Sequence, residues 1–168
     1  MKKNLFSLCF LGLFCLPNVT LAAEPVTCIK ASEQDVAGLF TKWNDSLATG
    51  DSAKVADLYV SDAVLLPTIS NQVRLTNQER IDYFNDFLKK GPQGKIDSRT
   101  IRIGCNKAID TGVYTFTFKD NSQVTARYTF TYVWDDNSWK ISTHHSSAMP
   151  ETVSKPWFSV QWRLNILT

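Results

Sequence analysis

The chain has 168 residues, 43% of them hydrophobic and 20% charged, with 18 Lys and Arg against 16 Asp and Glu. That length suits one domain around one core. A near-neutral balance without basic clusters argues against a nucleic-acid partner, whose phosphates require a basic footprint.

Lys2 and Lys3 precede an apolar run from Leu5 to Leu16, and Thr20, Leu21, Ala22 and Ala23 offer small residues for cleavage. This pattern predicts a signal peptide over 1–23, with an apolar run too short to span a bilayer as a helix. It implies a periplasmic or secreted protein with no membrane partner after processing. The segment holds two lysines and no acid, which leaves 16 basic against 16 acidic residues in the rest. Cys9 and Cys15 belong to it. The remaining Cys28 and Cys105 are expected to form one disulfide in an oxidising compartment; the alternative is two buried thiols. There is no CxxC pair and no zinc-type ligand set.

Ser32 can cap a helix running to about Thr49, with Val36, Leu39, Phe40, Trp43 and Leu47 on one face and Gly50 as its stop. A short second helix would turn Val55, Leu58 and Tyr59 inward. Ala63–Pro67 and Gln72–Leu75 read as short strands around a turn at Ser70 and Asn71. Thr76-Asn77-Gln78-Glu79 is a capping box opening a third helix, with Ile81, Phe84, Phe87 and Leu88 apolar. Four strands follow, over 98–105, 108–119, 123–134 and 138–146. Three helices and then a meander of long strands predict an α+β domain, the helices packed on a curved antiparallel sheet. The domain is expected over 24–151. In 152–168, Phe158, Val160, Trp162, Leu164 and Ile166 alternate with polar residues. This amphipathic extension would add to the sheet edge or cover its apolar face with another subunit.

The last two strands form an aromatic hairpin. Tyr128, Phe130, Tyr132 and Trp134 alternate with Arg127, Thr129, Thr131 and Val133. Asp135 to Ser138 supply turn chemistry. On the returning strand Trp139, Ile141, Thr143 and His145 alternate with Lys140, Ser142 and His144. His144 and His145 are the chain's two histidines. As strand neighbours they point to opposite faces, so they do not chelate one metal together, and no metal site is expected.

Leu58-Tyr59, Asp62-Ala63-Val64, the Ile81–Leu88 helix, the hairpin and His144-His145-Ser146-Ser147-Ala148-Met149-Pro150 together resemble the association (hub) domain of calcium/calmodulin-dependent protein kinase II. The likeness is to its bacterial stand-alone, polyketide-cyclase-like relatives and covers about 32–151. It implies the nuclear-transport-factor-2-like fold, a cone with a pocket at its open end, and assembly into dimers or larger rings. It also implies that the histidine end of the last strand lies near the pocket. No kinase motif is present, neither a Gly-rich loop nor an HRD-like or DFG-like sequence, and export would separate the chain from calmodulin.

Arg127, flanked on its face by Thr129 and Thr131, would need an anion if desolvated, either an internal carboxylate or a ligand. Arg102 is a second candidate. Tyr59, Trp43 and Tyr83 could furnish an aromatic wall, with His145 or His144 as ligand-binding or catalytic group. Two functions follow. One is an exported homo-oligomeric module binding a small organic anion at Arg127, His145, Tyr59, Trp43 and Tyr83. The other is an isomerase, dehydratase or cyclase with a histidine base. Neither calls for a cofactor.

Overall fold

A computed structural model describes residues 26–150. The expected signal peptide and the 152–168 extension lie outside the described residues.

The first helix, α1 (Glu33–Ala48), begins where Ser32 accepts from the Asp35 backbone N–H while the Asp35 carboxylate accepts from the Ser32 N–H, a reciprocal cap. Val36, Phe40, Trp43 and Leu47 form its buried stripe. The second helix, α2 (Ser52–Ala56), is only five residues long. Tyr59, expected at its end, instead opens β1 (Tyr59–Leu66). Thr76 and Glu79 make the predicted capping box of α3 (Asn77–Leu88). The strands β2 (Gln93–Gly104), β3 (Lys107–Thr117), β4 (Gln123–Asp135) and β5 (Ser138–Ala148) follow. The stretch 72–75 is not a strand of the sheet: it contributes a single bridge, Arg74 to Leu65.

The five strands form one sheet in the order β1-β5-β4-β3-β2. The sheet departs from the expected antiparallel pattern at one edge, where β1 runs parallel to β5. The connection through one helix and three strands leaves β1 free to dock that way.

Three irregularities shape the sheet. In β1 the pairing with β5 skips from Tyr59 to Val64. In β2 it skips Asp97, between Ile96 and Ser98. There Gly112 of β3 approaches so closely that a Cβ would sit 2.0 Å from the Ser98 carbonyl oxygen, so only glycine fits. In β5 the partners step from Ile141 to Thr143, leaving Ser142 as an extra residue. Such bulges bend a strand and re-aim its side chains.

The core lies between the helices and one sheet face. Phe40 of α1 meets the rings of Tyr114, Tyr128 and Phe130, and Trp43 meets Phe116 and Phe130 edge-on. Burying each such ring contributes about 1.5–3 kcal/mol. Cys28 and Cys105 are joined by a disulfide. Beside it, Asn106 accepts from the Ile29 N–H and donates to the Thr27 carbonyl, fastening the segment before α1 to the β2–β3 turn.

Candidate functional site

The sheet face that packs on α1 and α3 does not close completely. Between α1, α3 and the ends of β1, β3 and β5 lies a cavity of about 100 Å³. Apolar walls come from Leu65, Phe84, Phe116 and Ala126, and polar groups from Thr68, Tyr83, Tyr114, His144 and Ser146. Among the described residues lining it there is no carboxylate and one cation, Lys90.

The bulge at Ser142 decides which histidine reaches this space. Strict alternation would put His145 on the face of Ile141. With the extra residue, Ile141 and His144 are both buried and His145 is exposed. His144 stacks on Phe130, its cross-strand partner, with ring centres 4.0 Å apart, and Trp43 meets it edge-on at 5.2 Å. Burial first, and the neighbouring His145 second, push its pKa down from 6.5 to about 3. The imidazole is therefore neutral at physiological pH.

Two hydrogen-bonded chains converge on the cavity. In the first, the Trp43 Nε1–H donates to the Tyr59 hydroxyl at 3.1 Å, and that hydroxyl lies 3.0 Å from His144 Nδ1. His144 Nε2 is buried without a protein partner. In the second, the Tyr114 hydroxyl donates to Ser146 Oγ at 2.6 Å, and Ser146 Oγ is hydrogen-bonded to Thr68 Oγ1. Burial raises the pKa of Tyr83 to about 12 and drives those of Tyr59 and Tyr114 well above 10, so all three phenols keep their protons.

The structure brings together Trp43, Tyr83 and His144 of the residues singled out in the sequence, with Tyr59 directly behind His144. It does not bring Arg127 or His145 there. Arg127 is exposed on the opposite sheet face, where it reaches the Ala148 carbonyl at 3.4 Å. With His145, Thr111, Thr129 and Ser147 it borders a shallow surface depression. The physical reason is the two-residue repeat of β4: Tyr128 and Phe130 face the helices, so Arg127 cannot. Arg102 is likewise exposed, and its guanidinium donates to the neighbouring Ile101 carbonyl. Thr68, Tyr114, Ser146 and Lys90 also line the cavity, and none of them is among the candidates drawn from the sequence. Ser146 was within reach, since it lies two residues from His144 and shares its face.

Two charged groups are buried elsewhere among the described residues. Asp110 accepts from Tyr128 and from Arg99, closing an internal ion pair. Arg80 is wholly buried and donates to the carbonyls of Val60, Ser61, Ala63 and Leu75. No group of three or more His, Cys, Asp or Glu that could hold a metal ion occurs among the described residues.

The model of the calcium/calmodulin dependent protein kinase II association domain matches residues 32–150. The chain belongs to this association-domain family. A solved structure from Xanthomonas campestris, a candidate association domain of the same kind, is 49% identical, covers 77% of this chain and 99% of its own, and superposes with a TM-score of 0.68. The iota-carbonic anhydrase from a cyanobacterium, complexed with bicarbonate, is 21% identical over 77% of this chain and 99% of its own, with a TM-score of 0.66. A candidate dehydratase of the NTF2-like family from Streptomyces avermitilis is 12% identical over 70% of this chain and 95% of its own, with a TM-score of 0.63. The last two likenesses concern the fold, which is NTF2-like. No curated protein matches the chain.

Proposed function

We propose that this association-domain chain is an exported module whose cavity binds a small oxyanion of the bicarbonate or short carboxylate class. The observation that carries the reading is the pairing of an apolar-walled space with hydroxyls and a neutral imidazole, without any carboxylate to repel an anion. Lys90 supplies positive charge at the lining. About 100 Å³ holds several water-sized groups but falls below the range of roughly 300 Å³ and more used by drug-sized ligands. A ligand of few heavy atoms fits that limit.

Export is supported by the Lys2–Ala23 pattern and by the Cys28–Cys105 disulfide, which suits an oxidising compartment. Among the described residues no helix is long and apolar enough to cross a membrane. The functional unit is the domain over 24–151, assembled into a homo-oligomer as the family name suggests.

The second reading is catalysis at the same site. Bicarbonate in the cyanobacterial relative makes interconversion of CO2 and bicarbonate the reaction to try first. Water oxygen would add to the carbon of CO2 against the apolar wall, the hydroxyls would hold the developing oxyanion, and the proton would leave to solvent. Calorimetric titration with sodium bicarbonate, and stopped-flow CO2 hydration, test the two readings together. Saturable binding with turnover supports both, and binding without turnover leaves the module. Absence of both for bicarbonate, acetate and formate overturns the oxyanion site.

A further inference from the structure

Tyr59 carries one hydroxyl proton and lies between two nitrogens. Trp43 Nε1 can only donate, so the Tyr59 oxygen accepts from it. If His144 Nδ1 also carried a proton, both nitrogens would donate to Tyr59, and the phenol proton would need a third partner. Tyr59 is 4% exposed, and its hydroxyl makes no other hydrogen bond among the described residues. A buried donor left without an acceptor is costly. The arrangement is satisfied only when Tyr59 donates to a bare Nδ1. Burial keeps the ring neutral, so its single proton then sits on Nε2, the atom with no protein partner.

We infer that Trp43 and Tyr59 form a one-way hydrogen-bond relay that fixes His144 in the Nε2–H tautomer, making it a donor at the cavity. Trp43 and Tyr59 are then positioning residues: they act through His144. The consequence for ligand choice rests on the oxyanion reading of the cavity. A donor at Nε2 accepts no proton from a ligand, so the site favours deprotonated, acceptor-rich molecules, and His144 does not serve as a general base there.

The second chain has matching polarity. Tyr114 donates to Ser146, and whichever of Ser146 and Thr68 donates to the other, the acceptor of that pair keeps a hydroxyl proton for a ligand. Both chains thus end in donors at one cavity.

The test is long-range proton–nitrogen NMR on protein labelled with 15N-histidine, which separates a protonated ring nitrogen from a bare one. The chain has two histidines, so His145→Gln assigns the remaining signals to His144. The relay predicts a protonated Nε2 and a bare Nδ1 at pH 7. Tyr59→Phe should shift this toward a tautomer mixture and weaken bicarbonate binding about tenfold. A protonated Nδ1 in the wild-type chain overturns the relay, even if no Tyr59 variant folds. An unchanged tautomer in a folded Tyr59→Phe overturns the role of Tyr59. The spectrum needs no ligand. A protonated Nε2 without bicarbonate binding would therefore sink the oxyanion reading and leave the relay standing.

Discussion

The Tyr114 hydroxyl reaches across β4 to donate to Ser146 Oγ at 2.6 Å, linking β3 to β5 along the cavity wall. Ser146 in turn meets Thr68. Ser146→Ala removes the acceptor and leaves a buried phenol proton without one, a loss of about 1–3 kcal/mol. Tyr114→Phe with Ser146→Ala removes both partners and should cost less than the two single losses added together. Urea unfolding of the single and double variants measures this. Strict additivity would show that the two groups do not interact.

The buried His144 makes stability depend on pH in a defined direction. Its folded pKa, about 3, lies below the unfolded value of 6.5. Below pH 6.5 the unfolded chain takes up a proton that the folded chain refuses, so stability is full above that pH and falls as pH drops toward 3. The slope is about 1.4 kcal/mol per pH unit, or about 2 kcal/mol lost by pH 5. Asp35, Glu79, Asp86 and Asp120, whose pKa values are lowered by hydrogen bonds, lose their contributions only as pH falls from about 4.5. The window from pH 5 to 6.5 therefore isolates the histidine. Urea titrations there should show the slope in the wild-type chain and its loss in His144→Gln.

Much of the fold was legible because local chemistry and packing agree. Ser32, and Thr76 with Glu79, announce their helices, and the α1 stripe at 36, 40, 43 and 47 is the buried one. The site was less legible because bulges carry no strong local signal. Nothing in Ile141-Ser142-Thr143 shows that Ser142 stands outside the pairing, yet that residue decides between His144 and His145. Arg127 was attractive as a charge among aromatic residues, but its alternation with Tyr128 and Phe130 already placed it on the other face. Thr68 follows Pro67 in a loop, and only the fold brings it to Ser146, 78 residues away.

The Cys28–Cys105 bond should contribute to stability without shaping the cavity. It spans a sequence separation of 77 residues and lies at the surface by the β2–β3 turn, whereas the cavity lining includes neither cysteine. Disulfides typically contribute about 2–4 kcal/mol, with long loops toward the upper end, through restriction of the unfolded chain. Cys28→Ser with Cys105→Ser should lower urea stability by that amount while leaving the affinity for bicarbonate within twofold. An unchanged midpoint would mean that the Asn106 bonds to Thr27 and Ile29 already hold the segment.

Arg80 explains how β1 tolerates its irregular pairing. Between Tyr59 and Val64 the strand loses its regular register with β5. The carbonyls of Val60, Ser61 and Ala63 turn to the Arg80 guanidinium at 2.8–3.2 Å, and Leu75 completes the set at 3.2 Å. The guanidinium also lies over the Tyr59 ring at 5.8 Å. Desolvation lowers the Arg80 pKa, with Tyr59, Glu79 and Asp62 opposing it in that order. A fork of five donors can serve several carbonyls at once, whereas a lysine ammonium has three donors on one atom. Arg80→Met keeps most of the stem but strands these carbonyls, at a cost of about 3 kcal/mol or more. Arg80→Lys should recover only part. Because β1 carries Tyr59, the loss should reach the site: Arg80→Lys, if folded, should broaden the His144 ring signals while leaving the β2–β3 amides in place. Full stability in Arg80→Met would mean that water replaces the guanidinium and that β1 does not depend on it.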